Sequence, residues 1–373
     1  MQTLGVSVYP EMRPLDEIKN YLKLASSHGF THVFSSMFSM PGTNDEVLSC
    51  FQSLLSAAHQ YGMRVSLDIN PECMERLGAR PGDLSVFEGI GADILRMDGA
   101  YEEADNICML QNPYGIQIEY NASTLTPQQM ESLLNGGVDK SRILACHNFY
   151  PQRYTGFRWD RFIEVNSRLA SMGVPVGAFI ASHAPHSHGV WDALCGLPTV
   201  ERLREYPAEL QARVLSAAQT SCIIFGNAYA TDDELEDVRR ALTPAKPERS
   251  DRQIKVRVEP VYGLSEVEKT ILFDFFPHVD MGDSSEWMWR SRSPRVYFKD
   301  ETIEPRRYAA RYFAPGDVVM VNDNYKHYAG EVQVVLQSME NDGTRNFIGR
   351  IDEQEFILFD VINDGDIVVF LPT

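Results

Sequence analysis

An α/β chain built as a (β/α)8 barrel followed by a small β unit is the fold the sequence predicts, on three observations. Single apolar, strand-like runs alternate with amphipathic, helix-like stretches at a spacing of about thirty residues. Eight such runs can be read, enough for parallel strands joined by right-handed crossovers to close on themselves. Beyond residue 241 this texture gives way to short β-type runs separated by turns. The 373 residues exceed a minimal barrel of roughly 250 by one small domain, so the expected units are 1–243 and 244–373. An open doubly wound sheet shares the alternation, but no Gly-x-Gly-x-x-Gly follows the first strand as a dinucleotide-binding sheet requires.

Taken in order, the strands are expected at residues 4–9, 32–38, 64–69, 94–97, 115–119, 143–147, 176–180 and 221–225. Helices are expected at 15–28, 44–61, 126–135, 159–172 and 200–205 continuing into 207–218. Gly29, Gly62 and Gly173 each follow a helix and precede a strand, where glycine accepts the left-handed conformation that ends a helix. Thr231-Asp-Asp-Glu234 is a capping box opening the last barrel helix. The Pro-rich, charged stretch 241–251 reads as a linker. After it, strands are expected at 253–258, 296–298, 317–321, 331–336, 347–351 and 367–371, with hairpin-type turn chemistry at Asn341-Asp-Gly-Thr344.

Charge and composition exclude several classes. A net charge of −18 argues against nucleic acid or an anionic membrane as partner, and no apolar run approaches the roughly 20 residues of a membrane span. Six scattered cysteines without a Cys-x-x-Cys fit reduced thiols, and the start of the chain lacks a secretory pattern, so a cytoplasmic location is expected.

The chemistry is expected at the C-terminal ends of the strands, where barrel enzymes collect it. Asp98 and Glu119, after strands four and five, read as a carboxylate pair over the barrel mouth, the arrangement glycoside hydrolysis needs. Arg96, two residues before Asp98, is expected to hold Asp98 ionised and leave Glu119 as the acid; a plain buried ion pair of Arg96 with Asp98 is the structural alternative. Tyr9, Glu11, Asp68, Asn70, Asn121, His147, Asn148, His183, Asn227 and Tyr229 surround the pair as candidate substrate contacts, with Asp68 the reserve carboxylate.

The loop Ser182-His-Ala-Pro-His-Ser-His188 could hold a divalent metal, but it lacks helical His-x-x-x-His spacing, and no metal is expected. No Gly-x-Ser-x-Gly elbow supports a serine hydrolase. In the second unit Arg290, Arg292, Arg295, Arg306, Arg307, Arg311 and Lys326 concentrate positive charge, suited either to a phosphate or carboxylate or to a solvated surface. If that face covered the mouth it would select anionic sugars.

Several segments together resemble a known family. They are Leu4-Gly-Val-Ser-Val-Tyr-Pro10, Val65-Ser-Leu-Asp-Ile-Asn-Pro71, Leu95-Arg-Met-Asp-Gly99, Ile118-Glu-Tyr-Asn-Ala-Ser123, Cys146-His-Asn-Phe-Tyr-Pro151 with Thr155-Gly156, and Leu197-Pro-Thr-Val-Glu201. The second half adds Pro315-Gly-Asp-Val-Val-Met-Val-Asn-Asp-Asn-Tyr325 and Tyr328-Ala-Gly-Glu-Val-Gln-Val334. These resemble the bacterial 6-phospho-N-acetylmuramidases, glycoside hydrolase family 170. The resemblance implies a TIM barrel joined to a cyclophilin-like β domain and a cytoplasmic role in peptidoglycan recycling. It also implies cleavage of the β-1,4 bond between N-acetylmuramic acid 6-phosphate and N-acetylglucosamine. No cofactor is implied. The expected partner is a phosphorylated amino-sugar disaccharide, which gives the second unit's arginines a task; whether the chain forms a homodimer is left open. The roles of Asp98 and Glu119 come from the residues themselves, not from the resemblance.

Overall fold

The computed structural model describes residues 2–38, 40–99, 101–190 and 195–373. The chain divides into two compact units, Met1–Leu242 and Thr243–Thr373. In the first, eight parallel strands form a closed barrel: β1 (Thr3–Ser7), β2 (His32–Ser36), β3 (Arg64–Ile69), β4 (Ile94–Met97), β5 (Gln117–Asn121), β6 (Ile143–Cys146), β7 (Val176–Ile180) and β8 (Cys222–Phe225). Pairing of β8 with β1, Thr3 beside Cys222 through Val6 beside Phe225, closes the ring.

The helices pack outside: α1 (Leu15–Ser27), α2 (Asn44–Gln60), α3 (Pro71–Arg76), α4 (Ser85–Gly89), α5 (Glu103–Leu110), α6 (Pro127–Asn135), α7 (Trp159–Ser171), α8 (Ala208–Ala217) and α9 (Asp232–Leu242). Each long helix buries one apolar face, such as Ile18, Leu22 and Ala25 of α1. Gly29, Gly62 and Gly173 have φ of +80°, +69° and +75°, the helix-ending conformation expected of them. The Thr231 capping box forms, and Glu234 also accepts from Ser182 Oγ at 2.7 Å and from the His183 amide at 2.8 Å, which fastens the loop after β7 to α9.

One barrel strand departs from expectation in a way that matters. β5 occupies Gln117–Asn121, not 115–119. Asn112 Oδ1 accepts from the amides of Tyr114 and Ile116, and Gly115 adopts φ +81°, so the first two expected strand residues complete a turn. Glu119 is therefore in the middle of its strand and Asn121 at its end.

The barrel interior is layered, alternate strands contributing to each level. Phe34, Arg96, Cys146 and Ile224, from the even-numbered strands, make the middle level; Phe34, Cys146 and Ile224 belong to one buried cluster, and the Arg96 guanidinium lies 6.0 Å from the Phe34 ring. Gly5 and Gly177 leave room in the level below. A Cβ on Gly5 would stand 3.1 Å from Ile224 and His32, and one on Gly177 would stand 2.9 Å from Cys146 Sγ. Gly177→Ala is expected to destabilise the barrel by about 1–3 kcal/mol through overpacking, measurable by urea unfolding.

The second unit contains β9 (Gln253–Pro260), α10 (Glu266–Lys269), β10 (His278–Val279), β11 (Met288–Ser291), α11 (Pro294–Tyr297), β12 (Tyr312–Phe313), β13 (Asp317–Val321), β14 (Val332–Val335), β15 (Met339–Glu340), β16 (Arg345–Ile351) and β17 (Ile367–Pro372). Seven strands form one sheet in the order β10-β17-β9-β16-β13-β14-β11, and β12 pairs with β15. A hydrogen bond of 3.0 Å between His278 Nδ1 and Ser291 Oγ brings the two edge strands together, so the sheet is nearly closed. The strand expected at 296–298 is instead the single helical turn α11. Pro294 opens it at a position where its missing N–H costs nothing, and Val296 and Tyr297 face solvent.

Candidate active site

Asp68, in β3, and Asp98, just after β4, are carboxylates at the barrel mouth. Strand pairing places Asp68 beside Arg96 and Arg96 beside Glu119. In a tilted barrel that line descends from strand to strand, so residues level with one another come from alternate strands with a stagger. Glu119 is consequently level with Ser66, whose Oγ donates to Glu119 Oε2 at 3.3 Å. Asp68 lies a level higher. Glu119 also borders a cavity of about 320 Å³ lined by the first residues of six strands, Thr3, His32, Arg64, Ile94, Val176 and Cys222. It faces the N-terminal end of the barrel.

Arg96, buried and only 3% exposed, occupies the level between the two acids. Its Nη1 donates to Asp68 Oδ1 at 2.5 Å, its Nη2 donates to Asn148 Oδ1, and its Nε stands 4.0 Å from Glu119 Oε2. The expectation that Arg96 pairs with Asp98 is thus corrected: the strand tilt aims it at Asp68. The expected juxtaposition of Asp98 and Glu119 over the mouth is corrected too, because the guanidinium separates Glu119 from the level of Asp68.

The two buried acids share a perturbation. Burial pushes the Asp68 carboxyl up to about 6, opposed by Arg96 and reinforced by the nearby charge of Asp98. Burial also pushes the Glu119 carboxyl up to about 7, opposed by Arg96 and the Ser66 hydroxyl. With one cation between them, the pair titrates as a coupled system.

Several other candidates have structural roles. His147 is fully buried, with Nε2 2.8 Å from Asn166 Oδ1, Nδ1 3.2 Å from Ser123 Oγ, and its ring on Phe157 and Phe162. Side chains alternate along a strand, so with Cys146 and Asn148 turned inward His147 is turned outward. Asn70 caps α3 by accepting from the Cys73 amide at 2.7 Å. Asn227 is buried and joins the Ser182 backbone and Ser187 Oγ. Tyr9 is buried and donates to the Gly226 carbonyl at 2.6 Å. Tyr229 has φ +65° and packs on Tyr21 and His188; Glu11 is half-buried beyond the end of β1. His183 is exposed, its Nε2 3.0 Å from the Arg204 carbonyl. Among the described residues no three His, Cys, Asp or Glu side chains gather as a metal site would require.

The strand tips open into a groove of about 630 Å³ between α5 and α6, reached by Asp98, Asn121 and Asn148 and completed by Tyr101, Asn106 and Gln129 from beyond the strands. Reading strand tips alone misses those last three; the polar sequence that follows β4, Tyr101-Glu-Glu-Ala-Asp-Asn106, is the signal for Tyr101 and Asn106, and the Thr126-Pro-Gln-Gln129 helix start after β5 is the signal for Gln129.

Residues 4–240 match the N-terminal domain model of 6-phospho-N-acetylmuramidase, and residues 254–371 match its C-terminal domain model. The chain belongs to the 6-phospho-N-acetylmuramidase family. It is accordingly a glycosidase. The structure of an uncharacterized B. cereus protein is 33% identical, covers 99% of both chains and superposes with a TM-score of 0.84. A conserved Enterococcus faecalis protein of unknown function is 25% identical, with a TM-score of 0.65 over 99% of this chain and 96% of its own. None of the curated proteins matches the chain. Among the described residues no helix is long and apolar enough to cross a membrane.

The second unit of this family member holds its arginines close to acids. Arg290 donates to the buried Glu331 at 2.8 Å and Arg292 to Asp283 at 2.8 Å, while Arg295 lies 3.6 Å from Glu331 and Arg306 donates to Glu268 at 2.7 Å. Much of the expected positive concentration is thereby balanced. Arg311 is the most open of these, 77% exposed, 4.0 Å from Glu340 and resting on the Tyr312 ring.

Proposed function

We propose that this glycosidase cleaves the β-1,4 bond between N-acetylmuramic acid 6-phosphate and N-acetylglucosamine during peptidoglycan recycling in the cytoplasm. The observation that carries the reading is the pair of mouth carboxylates in unlike settings, in a chain whose two halves both match 6-phospho-N-acetylmuramidase domains. Asp68, buried and raised to about 6, is suited to protonate the leaving oxygen. Asp98, half-buried at the strand tip, or the substrate's acetamido group oriented by it, supplies the opposing negative charge. Glu119, the acid that the sequence suggested, acts at one remove by sharing Arg96. Six free cysteines suit a reducing compartment, and the second unit is read as a cyclophilin-like variant. Arg290, Arg292 and Arg311 are its candidate contacts for an anionic group.

Purified protein incubated with the phosphorylated disaccharide is expected to release N-acetylglucosamine, with the unphosphorylated disaccharide turned over at least about a hundredfold less efficiently. Equal turnover of the two would remove the phosphate requirement. Equal turnover of a 6-phosphorylated disaccharide lacking the lactyl group would make the protein a broader 6-phosphoglycosidase.

A further inference from the structure

We infer that the groove between α5 and α6 is the subsite for an uncharged N-acetylhexosamine, the leaving half of the disaccharide, and that its charge excludes a phosphorylated sugar. The inference rests on the glycosidase reading above and adds which half lies where.

Charge is the first ground. Among the described residues the groove is lined by Asp98, Glu102 and Glu103 and by no Lys or Arg. A phosphate entering it would meet carboxylates without a counter-ion, and the glutamates are exposed at its rim, where they act before contact is made.

Unmet hydrogen bonding is the second and independent ground. Tyr120 is only 5% exposed and lines the groove, yet among the described residues its hydroxyl has no hydrogen-bond partner; the Tyr101 hydroxyl, on the same groove, has none among them either. A buried phenol without a partner is costly, and a ligand hydroxyl or acetamide carbonyl relieves that cost on binding. The remaining lining has what a neutral sugar uses: the amides of Asn106 and Asn148 beside the apolar faces of Leu125 and Leu133. At about 630 Å³ the groove accommodates one hexosamine ring with its acetamido arm.

The test is titration of the full chain with N-acetylglucosamine and with N-acetylglucosamine 6-phosphate, followed by calorimetry or ligand-observed NMR. Thr124→Trp, which fills the groove from its edge, defines what binds there, and circular dichroism checks that this variant is folded. N-Acetylglucosamine binding is expected to be lost in Thr124→Trp and weakened about five- to tenfold in Tyr120→Phe. The neutral sugar is expected to bind the groove at least about tenfold more tightly than its 6-phosphate, and Glu102→Gln with Glu103→Gln is expected to narrow that ratio severalfold. The proposal is overturned if a folded Thr124→Trp variant keeps N-acetylglucosamine binding, if the 6-phosphate binds the groove as tightly as the neutral sugar, or if the double variant leaves the ratio unchanged. Hydrolysis is scored separately. Failure to cleave the phosphorylated disaccharide counts against the proposed function, whereas these titrations report the groove's preference without any turnover.

Discussion

Asp68→Asn is expected to lower kcat by about 10²–10⁴-fold, the loss typical when a general acid is removed, with KM little changed. Asn keeps the shape of the side chain and a carbonyl oxygen facing the Arg96 Nη1 donor, so the loss reports the missing proton and not a collapsed site. Glu119→Gln is expected to remain within about tenfold of the parent activity, because Glu119 is a level below and turned towards the N-terminal cavity. The pH profile separates the two assignments. If Asp68 is the acid, kcat/KM falls as pH rises through about 6, and that limb persists in Glu119→Gln. If Glu119 were the acid, the limb would lie near 7 and Glu119→Gln would abolish turnover.

Arg96→Met is expected to cost about 3–5 kcal/mol of stability at neutral pH, the scale observed when one partner of a buried ion pair is removed. Two buried carboxylates, Asp68 and Glu119, lose their shared cation, and Asn148 loses its donor. The sign of the pH dependence follows from the folded values. Both acids are raised, to about 6 and about 7, above the roughly 4 of an unfolded chain. The folded state therefore binds more protons than the unfolded state over this interval. Stability contributed by these groups is present below pH 4 and lost as pH rises through 6 and 7. Without Arg96 both values rise further, so urea unfolding of Arg96→Met should show a smaller deficit at pH 5 than at pH 8. An equal deficit at both pH values would mean that lost packing around the arginine, not charge, dominates.

Much of the barrel was legible because its strands are short apolar runs bounded by helix caps and left-handed glycines, signals that are local in sequence. The site was legible only in its ingredients. Spacing along one strand makes Arg96 and Asp98 neighbours, but the level a side chain occupies depends on strand tilt, which arises only when eight strands close; that tilt gives Arg96 to Asp68. The position of β5 was obscured by the Asn112 turn, which uses residues of strand-like character. His147 looked like a site residue because it follows an apolar run, although alternation with Asn148 allows only one of them to face inward. In the second unit β10 is too short to carry a period, and α11 was hidden because three apolar or aromatic residues in a row read equally well as strand.

The pairing of β17 with β9 affects how the protein is made. β17 lies between β10 and β9, with Ile367 beside Gln253 through Pro372 beside Val258, so an interior strand of the second sheet is the one that comes last in chain order. A nascent chain can close its barrel once residue 225 has left the ribosome, but the second sheet stays open until residues 367–372 have emerged as well. A product truncated before residue 367 lacks β17 and carries two unpaired backbone edges, on β9 and β10, a built-in mark of incompleteness for proteases and chaperones.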